Sequence, residues 1–186
     1  CNPPSYRLRD GKPIPYYAGD KRKKDSPNID DGTYLGPSQI ISTPVFHRGR
    51  VYVTIGQDPA HGRGRGLLHC IDATKTGEIT ESGRVWSFDG LERSMSSVAI
   101  ENGLLYAVDV AGRLHCLDAG TGRLHWLHEL KGETWGTPFL ADGKVFIGTR
   151  RFFHVLAAGE EARELARISL GSPSYGTPVA AEAAIK

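Results

Sequence analysis

From Ser42 onward the apolar residues of this chain gather in runs of five to seven, rich in Val, Ile, Tyr and Phe and separated by Gly, Asp and Asn. Runs of that length bounded by turn-forming residues predict short β-strands rather than helices. Four such runs fall at 42–46, 50–56, 67–72 and 84–89. The order is repeated at 95–100, 103–109, 113–118 and 123–129, and again at 136–141, 144–149, 152–157 and 163–169. Only 160–167 offers a competing helical pattern.

The runs recur in register. Leu68-His69-Cys70-Ile71-Asp72-Ala73, Leu114-His115-Cys116-Leu117-Asp118-Ala119 and Phe153-His154-Val155-Leu156-Ala157-Ala158 are three copies of one phrase. Each is preceded by a small-residue turn: Ser42-Thr43-Pro44, Ser96-Ser97-Val98 and Gly136-Thr137-Pro138, with a further copy at Gly176-Thr177-Pro178. Positions 44, 98, 138 and 178 are therefore equivalent, at steps of 54, 40 and 40 residues. A period near forty carried by strands alone predicts an all-β fold, a partial β-propeller of four-stranded antiparallel blades. The blades fall at 42–90, 91–132 and 133–172, a fourth begins at 173–186, and 1–41 reads as an irregular insertion or inter-blade loop holding six of the eleven prolines. The longer first step divides between an enlarged connection at 57–66 and six extra residues around 74–82. Three blades and a fraction do not close a ring, so the expectation is a piece of a larger propeller or an array completed by other blades.

Composition narrows the classes further. The chain has 186 residues, 39% hydrophobic and 24% charged, with a formal charge of +2. That balance argues against a dedicated nucleic-acid binder, and no apolar run approaches the length of a transmembrane helix. Cys70 and Cys116 hold the same strand position in successive repeats, too far apart for a disulfide, and read as small buried hydrophobes. Cys1 reads either as a lipidated first residue or as a mid-chain position.

In the second repeat, Gly112-Arg113-Leu114-His115-Cys116-Leu117-Asp118-Ala119-Gly120-Thr121-Gly122-Arg123-Leu124-His125-Trp126 resembles the PQQ-type propeller repeat of quinoprotein alcohol dehydrogenases and BamB-like proteins. The first repeat carries the phrase from Asp72 to Trp86, and the third is degenerate, with Ala157 at the Asp position and Leu165 at the Trp position. Gly56-Gln57-Asp58-Pro59-Ala60-His61-Gly62 and the opening Cys1-Asn2-Pro3 are similar to uncharacterised exported propellers of planctomycete-type bacteria, which supports a mid-chain Cys1. The resemblance implies that Asp72, Trp86, Asp118, Gly122 and Trp126 are structural, with each Trp packed between blades, and it implies a periplasmic or cell-surface location.

A quinoprotein dehydrogenase of this kind would need PQQ, a calcium or lanthanide ion and an Asp base. The sequence shows no adjacent Cys pair and no recognisable ligand set, so no cofactor and no catalytic residue is expected within it. His69, His115 and His154 invite a metal, but equivalent positions of successive blades lie on an arc instead of converging on a point. Gln57, Asp58, His61, Arg63 and Arg65 in the enlarged loop, with Trp135 before the third repeat, are the candidate partner-contact residues. Lys21-Arg22-Lys23-Lys24 reads as a solvated loop or a contact to an acidic surface. Trp135, Tyr175 and Tyr16-Tyr17 offer carbohydrate-stacking surfaces as a third possibility, although as single aromatics outside the repeat. The reading that results is a non-catalytic extracytoplasmic scaffold whose partners are other proteins or further blades; the alternative is part of a PQQ-dependent dehydrogenase with its cofactor site mainly elsewhere.

Overall fold

The computed structural model describes residues 40–56 and 66–180, together with a short antiparallel pair, β1 (Ser5–Tyr6) and β2 (Pro13–Ile14). Twelve further strands form three sheets of four. The first blade comprises β3 (Val45–His47), β4 (Arg50–Ile55), β5 (Leu67–Asp72) and β6 (Arg84–Phe88). The second comprises β7 (Ala99–Glu101), β8 (Leu104–Val108), β9 (Arg113–Asp118) and β10 (Leu124–Glu129). The third comprises β11 (Phe139–Ala141), β12 (Lys144–Gly148), β13 (Phe152–Ala157) and β14 (Glu164–Ser169). Each is an antiparallel meander paired in chain order. The helical alternative at 160–167 is not taken, because β14 pairs with β13 from Glu164 onward.

The two central strands of the middle blade, β8 and β9, are buried on both faces. Leu105, Ala107 and Leu117 face the first blade, where they pack with Tyr52, Leu68 and Cys70. Tyr106, Leu114 and Cys116 alternate with them and face the third blade, against Val145, Ile147 and Leu156. The strand period of two thus assigns successive side chains to two different interfaces. Burial raises the thiol of Cys116 to about 12 and pushes Cys70 upward as well, so both behave as inert packing groups.

The first strand of each sheet starts about three residues later than the apolar pattern suggests, at Val45, Ala99 and Phe139. One displaced residue of each blade bonds to the next blade, while Ser42 Oγ also donates to Thr54 O of its own blade at 3.1 Å. Thr43 N–H donates to Ser97 Oγ at 3.0 Å, Ser97 N–H to Thr137 Oγ1 at 3.0 Å, and Thr137 N–H to Thr177 Oγ1 at 3.0 Å. The repeated small-residue turn is therefore a hydroxyl ladder that ties four consecutive repeats together beside their innermost strands.

At the outer edge, the turns between third and fourth strands set how blades meet. Asp118 N–H reaches Arg123 O at 2.8 Å, whereas Asp72 N–H reaches Gly83 O at 2.7 Å across a loop six residues longer, as the spacing predicts. Trp86 Nε1–H donates to Ala119 O of the second blade at 3.2 Å, and Trp126 Nε1–H to Gly159 O of the third at 2.9 Å. In the third blade the turn closes from Ala157 N–H to Arg163 O, one residue longer than in the second. That extra residue moves the register: Cys70 pairs with Trp86, Cys116 with Trp126, and Val155 with Ala166. Ala166, not Leu165, occupies the Trp position.

Candidate functional site

Strand polarity divides the blade connections between two ends. One end carries the hairpin turns at 48–49, 102–103 and 142–143 and the third-to-fourth strand turns; the other carries the second-to-third strand connections and the hydroxyl ladder. The enlarged connection of the first blade emerges at this second end, between Gly56 and Gly66, where Gly66 N–H donates to Leu91 O at 3.1 Å. Gln57, Asp58, His61, Arg63 and Arg65 themselves lie outside the described residues, as do Cys1, Tyr16-Tyr17, Lys21-Arg22-Lys23-Lys24 and nearly all of the insertion expected at 1–41.

Trp135 is at the same end. Its ring stacks on Tyr175, with centroids 4.5 Å apart and planes 28° from parallel, and remains 40% exposed. The two residues precede Thr137 and Thr177 by the same interval, so they occupy equivalent positions, contrary to the reading of them as single aromatics outside the repeat. Met95 and Ile41 hold that position in the second and first blades, half-buried and exposed respectively. An arc of four large apolar side chains thus accompanies the hydroxyl ladder around the inner edge. Sequence reasoning missed this arc, although the forty-residue register alone would have revealed it.

The backbone under Trp135 is fixed from both sides. Ser96 Oγ donates to Trp135 O and Gly136 O, at 3.2 and 2.9 Å, while buried Thr134 donates through Oγ1 to Gly148 O at 2.6 Å and through N–H to Val110 O at 3.2 Å. An exposed aromatic on a backbone so constrained loses little conformational freedom when something covers it, the property of an interface anchor.

Among the described residues this end carries a buried charge cluster. Asp109 is fully buried and accepts from Arg113 N–H at 3.0 Å and Nε–H at 2.8 Å. The same guanidinium reaches Glu92, beyond the last strand of the first blade, at 3.0 Å. Burial works against its charge, but Asp109 and Glu92 outweigh that and hold its proton more tightly than usual. A cavity of about 260 Å³ beside it is lined by Glu92, Arg113, Glu129 and Lys131, a mixed-charge recess.

The three repeated histidines are not brought together. His69 Nδ1 lies 2.8 Å from Ser87 Oγ, His115 meets Phe88 edge-on at 5.6 Å between ring centroids, and His154 Nδ1 lies 2.6 Å from Glu164 Oε1. No group of three or more His, Cys, Asp or Glu side chains able to hold a metal occurs among the described residues. The buried carboxylate of Asp109 is engaged by the Arg113 guanidinium at 2.8 Å. Asp72 and Asp118 cap their turns: each accepts from a Thr N–H and hydroxyl, Thr74 at 2.9 and 2.7 Å and Thr121 at 2.7 and 2.8 Å. Those hydroxyl bonds hold both carboxyls below the usual range.

A family profile described as outer membrane protein assembly factor BamB matches residues 64–169, more than half of the chain. BamB from Moraxella catarrhalis superimposes with a TM-score of 0.60 at 16% identity, covering 81% of this chain and 44% of that one. The quinohemoprotein alcohol dehydrogenase of Comamonas testosteroni gives 0.55 at 24% identity, over 70% of this chain and 21% of the other. A second such dehydrogenase, from Pseudomonas putida, gives 0.54 at 22%, over 69% and 20%. These likenesses establish a shared propeller-blade fold, and the chain spans less than half the length of each. Among curated protein sequences none matches.

Proposed function

The chain belongs to the BamB-type propeller-repeat family, and on that premise we propose that it works as an extracytoplasmic scaffold presenting one end of its blades to a protein partner. The observation that carries this reading is the Trp135–Tyr175 stack, exposed on a backbone held by buried hydroxyls and sharing its end with the root of the enlarged loop. The family match to a protein named as an assembly factor supports the same class of role. Among the described residues no helix is long and apolar enough to cross a membrane. Export is part of the proposal, and fractionation of the natural cells tests it.

A photo-crosslinking residue placed at Trp135, compared with one at Glu161 on the opposite end, tests the contact surface in the natural cell. A discrete crosslinked partner from position 135 and none from 161 is the expected outcome; equal or absent crosslinking at both would refute it. A second reading, part of a quinoprotein dehydrogenase, draws on the two dehydrogenase likenesses. Titration of the natural protein with PQQ and calcium separates the two, because a dehydrogenase acquires a quinone absorption band and dye-linked alcohol oxidation while a scaffold acquires neither.

A further inference from the structure

The outer face of the third blade differs from the two faces it should match. In the first two blades that face carries a Tyr on the second strand, a Cys on the third and a Trp on the fourth: Tyr52, Cys70 and Trp86, then Tyr106, Cys116 and Trp126. Four of these six groups reach the turn carbonyl of the following blade, and the buried Tyr106 hydroxyl has no hydrogen-bond partner among the described residues. Tyr52 O–H and Trp86 Nε1–H both donate to Ala119 O, at 3.0 and 3.2 Å, and Trp126 Nε1–H donates to Gly159 O at 2.9 Å with Cys116 Sγ 3.6 Å from the same oxygen. The third blade has Phe146, Val155 and Ala166 at these positions. Every donor has been replaced by a group that cannot donate, and the largest side chain by the smallest.

The rest of that face is apolar and open. Phe139, Phe146 and Phe153 follow one another at 6.3 Å between centroids, Ile168 is 51% exposed beside them, and every residue of β14 is exposed. A further repeat has nonetheless begun to settle against this blade. Thr177 accepts the ladder bond from Thr137 N–H, Ser174 N–H donates to Thr149 O at 3.3 Å, Tyr175 stacks on Trp135, and Val179, 84% exposed, stands where Val45, Ala99 and Phe139 open their sheets. The established inter-blade interface therefore continues along the inner edge of the same face.

We propose that this face seats a fourth blade opening at Val179, and that this blade docks by a different chemistry: it places its own large apolar side chain over Ala166 and presents no turn carbonyl in need of a donor. The loss of Tyr, Cys and Trp together is the complement of such a neighbour. A carbonyl set against Phe146, Val155 and Ala166 would be buried without a partner, and the space left by the missing indole would stay empty. The inference rests on the blade architecture alone and is independent of the scaffold role.

Three variants of the protein at its natural length test it. Ile168→Cys should react with maleimide about tenfold or more slowly than Glu161→Cys, because the face is covered. Ala166→Trp should lower the urea midpoint by overpacking a filled site. Phe146→Tyr, which adds only a hydroxyl, should lower it too and guards against a failure of the Trp variant to fold. Equal labelling at 168 and 161 would show a bare face and overturn the proposal. A neutral or raised midpoint for Ala166→Trp or Phe146→Tyr would also overturn it, by showing that the neighbour carries the same carbonyl cap as the second and third blades.

Discussion

The indole of Trp86 lies directly on Gly122 of the following blade: a Cβ at Gly122 would stand 2.6 Å from Trp86 Cε3. Gly122 also has φ +75°, a left-handed conformation that side chains disfavour. Two requirements, one steric and one conformational, thus coincide on a single residue at the interface between blades. Gly122→Ala should destabilise the protein by about 1–3 kcal/mol, since backbone strain and overpacking act together. Urea unfolding is the measurement, with a lowered midpoint and an unchanged slope as the expected result. An unaffected midpoint would mean that the Trp86 contact is slack.

The hydroxyl ladder makes a separable prediction. Thr137 Oγ1 accepts from Ser97 N–H at 3.0 Å, while Thr137 N–H donates onward to Thr177 Oγ1. Thr137→Val keeps the shape but deprives Ser97 N–H of its acceptor, at a cost of about 1–2 kcal/mol. Thr137→Ser restores the oxygen and should recover most of that loss. Amide hydrogen exchange gives the local readout: Ser97 should exchange faster in the Val variant and near the natural rate in the Ser variant. Equal exchange in all three proteins would remove the ladder from the account of how blades are joined.

The blade plan was legible because it is written redundantly. Strand period, turn residues and a phrase repeated three times all point to the same four-stranded unit, and the six extra residues between Asp72 and Trp86 fall in the turn the spacing assigns them to. Register inside a degenerate repeat was not legible. With Ala157 in place of the capping Asp and no Trp to mark the fourth strand, one added turn residue shifts Ala166 into the position that counting gives to Leu165. The arc of Ile41, Met95, Trp135 and Tyr175 escaped for a different reason. Its members share size and apolarity but not identity, so only their common offset from the ladder hydroxyls links them. Gly56 and Gly66, which flank the enlarged connection, stand at the same end as this arc.

Acid sensitivity should follow from the two histidines that face a preceding blade. His115 is fully buried against Phe88, and burial lowers its pKa below the ordinary imidazole value of 6.5, with Asp109 opposing that shift and Arg113 adding to it. His154 is likewise buried; burial again lowers it, Glu164 pulls it back up, and His128 from the second blade pushes it further down. In both cases the unfolded chain binds a proton at a pH where the folded one does not. Stability therefore rises with pH across that window and is lost as pH falls below 6.5 toward the folded-state values. Thermal unfolding followed from about pH 8 to about pH 5 should show a falling midpoint, steepest below the ordinary imidazole value. His115→Leu removes one titrating group from an already apolar interface and should flatten the slope. A slope unchanged in that variant would assign the acid sensitivity to the buried His154 instead.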